Sequence, residues 1–288
     1  MLPGLHGARP AGQPTDRMKF VAFAPPSQDV LDFVVQVAHA YAKLIASPYA
    51  DSESGLGGSL FYAGEMDGMG RALVVAANIA GAATLVASAD LALQKQAIRE
   101  AIADFLVTSL DEALRILKNQ LRKRETVSVC VAMAVAAMER EMNERGVRPD
   151  LLRRDVPIVP LHEALIDREG EQDETDLTSI PALVIWRVDS ARQKDLAMLD
   201  AIALECLNAN DWPARRWLRL APRYLGRMAQ DLRLLSTHRA FAARFSEQLN
   251  QRVDHGEIAF PCEILSYVRS LEEKHRFEPG DRPAPLVP

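Results

Sequence analysis

Short apolar segments alternate with longer amphipathic ones between residues 27 and 145, and this alternation limits the possible folds more than any other feature of the sequence. Strands that alternate with helices predict βαβ units, and therefore an α/β fold with a mostly parallel sheet and helices on both faces. Ligands bind such sheets beyond the carboxyl ends of the strands. The predicted strands are 60–63, 83–87, 104–107 and 126–132, and the predicted helices are 27–47, 72–80, 91–101, 110–122 and 134–145.

The sequence changes character after residue 150. The segment 167–176 contains six acidic residues, which repel one another too strongly to pack, so we predict a solvated loop. A further strand is predicted at 181–188, where it could be the last of the sheet. The apolar spacing from 191 to 271 is helical throughout, so we expect an all-helical C-terminal part. The expected domains are a flexible tail at 1–26, an α/β domain at 27–189, a helical domain at 190–275 and a second tail at 276–288.

The composition excludes several classes of protein. The chain has 288 residues, of which 48% are hydrophobic and 25% charged, and its net charge is −5. Wholesale disorder, collagen-like repeats and a polybasic nucleic-acid-binding arm are therefore excluded. The three cysteines, Cys130, Cys206 and Cys262, form no close pair in the sequence, which favours a reducing cytoplasm. The longest uncharged stretch, 72–89, is rich in Ala and is better explained by a buried helix and strand than by a membrane span.

A glycine-bearing turn follows the first predicted strand. Gly68, Met69 and Gly70 open a predicted helix, and Asp90 stands twenty residues after Gly70, behind the second strand. Glycines let the backbone approach a pyrophosphate, free N–H groups of the helix bind the anion, and an acid at this distance bonds ribose hydroxyls. The turn therefore indicates a dinucleotide or a small anionic ligand, although such turns also form for steric reasons alone. The candidate cofactor-binding residues are Gly64, Gly68, Met69, Gly70, Arg71 and Asp90.

Motifs on both sides of this turn occur in an order and spacing typical of one family. They are LFYAG at 60–64, GMG at 68–70, Asp90, LDEAL at 110–114, VSV at 127–129 and GVRPDL at 146–151. Together they resemble the central NAD-binding domain of urocanase (urocanate hydratase), from about residue 27 to residue 152. The resemblance implies a Rossmann-like fold, a tightly bound NAD+ that serves as an electrophile, and a homodimer. GVRPDL and LDEAL are its most specific parts.

The sequence also departs from the family's pattern. Arg71 stands in place of a glycine, Leu73 in place of a glutamine and Ser88 in place of an acid. The segment 152–157 (LRRDVP) replaces a Gln-Thr-Ser-Ala-His-Asp segment that lies near the cofactor in the family. The flanking parts of the family, which supply the substrate pocket, have no counterpart in this sequence. Urocanate hydration is therefore not expected.

Three charged side chains beside the turn bear on phosphate binding. Arg71 could reach a phosphate as a bidentate partner, or its bulk could fill the space that a pyrophosphate needs. Glu65 and Asp67 would repel a phosphate if they point inward. The sequence leaves these alternatives open.

Other candidate sites have simpler structural explanations. The pair His162-Glu163 is the one pair that we would test for acid–base chemistry, although a helix start capped by charge explains it more simply. The six histidines are isolated from one another, so no metal site is expected. Cys130 lies in a predicted strand, which favours a buried side chain over a nucleophile. Six arginines between 213 and 233 could bind nucleic acid or an acidic partner, but a role against the acidic loop or a partner chain is simpler.

Two functions follow from these observations. The first is a urocanase-like protein that keeps the nucleotide-binding scaffold without the family's catalytic surround, as a non-catalytic ligand-binding or assembly subunit. The alternative is an NAD-dependent lyase (hydratase) of altered substrate, with residues from the helical half or a partner chain. A scaffold that binds no ligand is a third class. We expect NAD as the one candidate cofactor, no membrane or nucleic-acid partner, and a homodimer or a protein partner bound through the helical part. No catalytic residue is assigned.

Overall fold

The computed structural model describes residues 27–157, 181–268 and 271–277. The tail predicted at 1–26, the pair His162-Glu163, the acidic loop at 167–176 and residues 278–288 lie outside the described residues.

A five-stranded parallel sheet occupies the first described range. Its strand order is β3-β4-β2-β1-β5, and each pair of neighbours is parallel. The prediction of an α/β fold with a mostly parallel sheet is therefore confirmed. The strands are β1 (Leu60–Glu65), β2 (Ala83–Ala87), β3 (Phe105–Val107), β4 (Val127–Val131) and β5 (Leu151–Leu152), and the helices are α1 (Gln28–Ile45), α2 (Gly68–Ala80), α3 (Leu91–Arg99), α4 (Leu110–Lys123) and α5 (Val135–Glu144).

Alternate residues of the strands face opposite layers of helices, because side chains along a strand alternate between its two faces. In β1, Phe61 and Ala63 belong to a core shared with α1 and α2, whereas Leu60 and Tyr62 belong to a core shared with α4 and α5. Both faces of the sheet are therefore covered by helices, and β2 and β4 are buried along their whole length. None of the helices in the described ranges has the length and apolarity that a bilayer crossing demands.

The C-terminal part contains a second sheet, so the prediction that this part is all-helical is wrong. Its antiparallel strands follow the order β7-β6-β8-β9. The strand predicted at 181–188 is present, but it pairs with β7 and β8 instead of closing the parallel sheet. Pairing satisfies the backbone groups of β7 and β8, and this tertiary effect outweighs the helical spacing of their apolar residues. The strands are β6 (Pro181–Val188), β7 (Leu232–His238), β8 (Cys262–Val268) and β9 (Leu271–Phe277), and the described helices here are α6 (Leu196–Cys206), α7 (Trp212–Leu225) and α8 (Arg239–Asp254).

Helices α6 and α8 pack against β6 of the second sheet around Trp186. The ring centroid of Trp186 lies 5.1 Å from that of Phe245 in α8. The indole N–H donates to the Asp200 carboxylate of α6 at 2.9 Å, and Arg233 donates to the same carboxylate at 3.0 Å. The apolar stripes of these two helices are buried within the chain.

The two sheets share one hydrophobic core through α1 and α2. Helix α1 packs against β7, and α2 packs against α7. The hydroxyl of Tyr41 in α1 donates to the carbonyl O of Pro213 in α7 at 2.7 Å. The boundary between an α/β domain at 27–189 and a helical domain at 190–275 stays a prediction, and the second sheet begins before it, at Pro181.

Candidate functional site

A cleft of about 800 Å³ opens at the carboxyl ends of β1 and β5. The chain passes from β1 through α2 to β2 on one side, and from β4 through α5 to β5 on the other side of β1. Ligands of open α/β sheets bind at such a switch in strand order. The cleft is lined by β1, the turn that follows it, α5 and the segment 147–154. Its volume lies within the roughly 300–1,000 Å³ that small-molecule sites occupy.

The hydroxyl of Tyr62 is the buried polar group of this cleft that has no hydrogen-bond partner among the described residues. Tyr62 is 5% exposed and lies on the face of β1 that α5 covers. Burial raises the pKa of its hydroxyl, and the carboxylate of Glu139 in α5 adds to the shift. A buried hydroxyl without a partner costs free energy, so a bound molecule that supplied one would be stabilised.

The three glycines at the turn serve different purposes. Gly70 is required by close packing, because a Cβ at this position would lie 1.8 Å from the carbonyl O of Glu65. Gly64 has a positive φ of 73° where the register between β1 and β2 shifts, and a Cβ there would lie 3.2 Å from Cδ of Arg153. Gly68 faces open space, since no described atom beyond its chain neighbours and its own helix backbone lies within 4 Å of a Cβ built on it.

The carboxylate of Asp67 caps α2 and forms an ion pair with Arg153. Its Oδ1 accepts the N–H of Gly70 at 2.6 Å, and its Oδ2 accepts Nη2 of Arg153 at 2.9 Å. Arg153 also donates from Nη1 to the carbonyl O of Glu65 at 3.3 Å. Burial acts to raise the pKa of the Asp67 carboxyl, but the bonds from Arg153 and Gly70 outweigh it and hold the pKa below its usual value.

Arg71 and Met69 do not line the cleft. The guanidinium of Arg71 pairs with Glu100, just beyond α3, and lies 5.9 Å from the ring centroid of Phe33 in α1. Met69 packs against the core that α1 and α2 share. In this arrangement Arg71 neither fills the cleft nor reaches into it, so its contact with a phosphate stays a prediction without geometric support.

Asp90 serves as the N-cap of α3. Its Oδ1 accepts the N–H groups of Ala92 at 2.7 Å and Leu93 at 3.4 Å. Ser88, which stands where the family has an acid, is buried, and its hydroxyl accepts the N–H of Asp90 at 3.2 Å. Asp90 is exposed and does not line the cleft, so its contact with a ribose also stays a prediction.

Sequence reasoning missed the polar residues that the structure gathers at the cleft. Glu139 and Asn143 lie on α5, and Arg153 and Arg154 follow β5. The available signal was the segment 152–157, which departs from the family's pattern at the place where a cofactor contact is expected. Arg154 is exposed, and no hydrogen bond or ion pair of its side chain is found within the described ranges.

The turn as folded does not fit a pyrophosphate. The N–H of Gly70 is already bound by Asp67, whose negative charge lies at the N-terminus of α2, where a phosphate would bind. Glu65 and Glu139 add two further carboxylates to the same cleft. By contrast, the free Tyr62 hydroxyl and the apolar side chains of α5 fit an organic molecule that brings no phosphate to α2.

The residues in and just before GVRPDL contact two other motifs of the resemblance, LDEAL and LFYAG. Arg145, just before GVRPDL, forms an ion pair with Asp111 of LDEAL. Asp150 of GVRPDL accepts the N–H of Leu60 through its carboxylate at 2.8 Å, and its own N–H donates to the Leu60 carbonyl at 2.9 Å. These contacts fix α4, α5 and β5 around β1, and so they shape the cleft.

The parallel sheet and the glycine turn after β1, with a cleft at the switch in strand order, define a Rossmann-like domain. Residues 37–164 match the urocanase family over its Rossmann-like domain. The S-methyl thiourocanate hydratase of Variovorax sp. (strain JCM 16519 / RA8) is 29% identical over 105 residues, which are 36% of this chain and 19% of that protein. The match thus spans about a fifth of the relative's length. The predicted resemblance to the urocanase Rossmann-like domain is confirmed.

The other candidates are explained by structural contacts. Within the described ranges, no group of three or more His, Cys, Asp or Glu residues could hold a metal ion. Cys130 is buried in β4. Of the arginines between 213 and 233, Arg215 donates to the Leu204 carbonyl, Arg216 to the Ile79 carbonyl and Arg233 to Asp200. These internal bonds give three of the six arginines a structural role.

Proposed function

We propose that this protein binds a small molecule in the cleft between β1, β5 and α5, and that it keeps the urocanase nucleotide-binding scaffold without the catalytic surround of that family. The observation that carries the proposal is the buried Tyr62 hydroxyl, which has no partner in the described part of the chain. Its position at the switch in strand order is the place where α/β sheets bind ligands.

The residues of the cleft suggest how the ligand is held. The Tyr62 hydroxyl forms a hydrogen bond with a polar group of the ligand. Val135 and Met142 of α5 contact the apolar part of the ligand. Arg154 is placed to meet an acidic group at the end of the cleft beyond β5. These interactions bind and orient a molecule, and they assign no residue to a chemical step.

A second candidate is an NAD-dependent lyase or hydratase of altered substrate. The name of the Variovorax relative, a hydratase, favours this candidate. In the urocanase family NAD+ supplies an electrophile, and here it would require Asp67 to leave the N-terminus of α2. The residues that act on the substrate would come from the C-terminal part or from a partner chain.

Native mass spectrometry of the purified protein distinguishes the two candidates. A retained small molecule other than a dinucleotide supports the ligand-binding function, whereas a retained dinucleotide supports the lyase. Thermal shifts with NAD+, NADH, AMP and adenosine extend the test, because a ligand that binds the folded state raises its melting temperature. If no molecule is retained and no compound raises the melting temperature, both candidates are contradicted. The protein would then be a scaffold that binds no ligand.

We also propose that the protein works as a homodimer in a reducing cytoplasm. The resemblance to urocanase supports the dimer, and the three buried, unpaired cysteines suit a reducing compartment. Light scattering coupled to size-exclusion chromatography tests the dimer, which predicts twice the chain mass of 31.8 kDa. A monomer at micromolar concentration would contradict it.

A further inference from the structure

We infer that Asp67 is a specificity-determining residue: its carboxylate takes the place of a ligand phosphate at the N-terminus of α2, so that the cleft selects ligands that bring no phosphate to this point. The inference rests on the proposed function, because it assigns a ligand class to the same cleft. That class is small molecules that carry no phosphate group.

The geometry of Asp67 is that of a bound anion. Oδ1 lies 2.6 Å from the amide N of Gly70, in the first turn of a helix of 13 residues. The N-terminus of a helix attracts negative charge, because its amides are free and its dipole is positive there. A carboxylate on the same chain competes with a phosphate from solution without any loss of translational freedom.

Arg153 reinforces this arrangement. Its guanidinium binds Oδ2 of Asp67 at 2.9 Å and the carbonyl O of Glu65 at 3.3 Å. Its side chain also covers Gly64, since a Cβ on that glycine would lie 3.2 Å from Cδ of Arg153. The cation that a phosphate would recruit is therefore already paired, and both oxygens of Asp67 are bound.

The remaining unpaired charges of the cleft have the same net sign as Asp67. The carboxylates of Glu65 and Glu139 line the cleft and make no side-chain hydrogen bond or ion pair in the described ranges. Arg154 is the one cation of the lining that is likewise unpaired there. The unpaired groups thus carry one net negative charge. A pyrophosphate would meet this charge in addition to Asp67. The free hydroxyl of Tyr62, which is 5% exposed, independently points to a ligand in the same cleft.

Isothermal titration with inorganic pyrophosphate in metal-free buffer tests the inference. Asp67→Asn removes the charge and keeps a good N-cap, so the helix start is preserved. We expect pyrophosphate to bind this variant at least about tenfold more tightly than the wild type, as the loss of one nearby repulsive charge implies. Asp67→Ser serves as a second uncharged cap if the asparagine variant does not fold.

Asp90→Asn is the matched control, because Asp90 caps α3 in the same way but does not line the cleft. It should leave pyrophosphate affinity at the wild-type value. Equal affinities of the wild type and both Asp67 variants would overturn the inference, as would tight wild-type binding that Arg153→Gln abolishes. That second result would still support a ligand site in the cleft. If the Asp67 variants gain affinity for pyrophosphate, but the wild type retains no molecule and shows no thermal shift, Asp67 keeps phosphate away from α2 and the proposed ligand-binding function fails.

Discussion

Arg216 of α7 donates its Nε–H to the carbonyl O of Ile79, near the C-terminus of α2, at 2.9 Å. The last carbonyls of a helix have no partner within the helix, so this bond supplies one. Burial lowers the pKa of the Arg216 guanidinium. The side chain fills space left by Gly81, where an added Cβ would lie 2.5 Å from Nη2. The C-terminal part of the chain therefore holds the helix whose other end forms the rim of the cleft.

Replacement of Arg216 by Ala should destabilise the protein. The buried carbonyl of Ile79 loses its side-chain donor, which lowers the free energy of unfolding by about 1–3 kcal/mol. Urea denaturation followed by circular dichroism measures the change. Arg219→Ala is the control on the same helix, because Arg219 is exposed, and it should change stability by less than about 0.5 kcal/mol. Equal effects of the two substitutions would show that the Ile79 contact is not the cause.

Two glycines of the same turn should respond differently to alanine. Gly70→Ala places a Cβ 1.8 Å from the Glu65 carbonyl O, so the strand and helix must separate, at a cost of about 2–4 kcal/mol. Gly68→Ala meets open space at the start of α2 and should change stability by less than about 1 kcal/mol. Thermal denaturation of both variants checks this difference. A large loss of stability in Gly68→Ala would mean that other atoms occupy the space around Gly68.

The first half of the fold is predictable from sequence because each strand there is a short apolar run between amphipathic helices. The predicted strand at 83–87 coincides with β2 at both ends. β5 is not predictable in this way, since two residues, Leu151 and Leu152, are too few to show a period. β7 is not predictable either, because its leucines favour a helix until β6 pairs with it.

The candidate site was only partly predictable for a related reason. The glycine turn is local in sequence, so its position after β1 could be predicted. The ion pair between Asp67 and Arg153 joins residues 86 positions apart, and it depends on β5 lying beside β1. Tyr62 lies in a continuous apolar run, where nothing local separates a hydroxyl without a partner from one that is hydrogen-bonded.

Two buried tyrosines should respond in opposite ways to the loss of the hydroxyl. Tyr41→Phe removes a bond to the Pro213 carbonyl at 2.7 Å and should lower the free energy of unfolding by about 1 kcal/mol. Tyr62→Phe removes a buried hydroxyl without a described partner, so stability should stay the same or rise by up to about 1 kcal/mol. Urea denaturation measures both. If Tyr62→Phe lowers the free energy of unfolding as much as Tyr41→Phe does, the hydroxyl of Tyr62 has a hydrogen-bond partner in the protein.

The buried cysteines should make the protein less stable in alkali. Burial raises the pKa of Cys130 to about 11 and that of Cys262 to about 12. An unfolded thiol loses its proton near pH 8.5, whereas these folded thiols keep theirs, so the unfolded state binds fewer protons above that pH.

The stabilisation that each thiol provides is complete below about pH 8.5 and falls by about 1.4 kcal/mol per pH unit as the pH rises toward the folded pKa. Urea denaturation at pH 7, 9, 10 and 10.5 should show this fall. Because lysines and tyrosines also titrate there, the test is the difference from Cys262→Ala, which should lose stability less steeply with pH than the wild type. If stability falls equally steeply with pH in the two proteins, the Cys262 thiol ionises as readily in the folded state as in the unfolded one. That result would contradict the effect expected from its complete burial in β8.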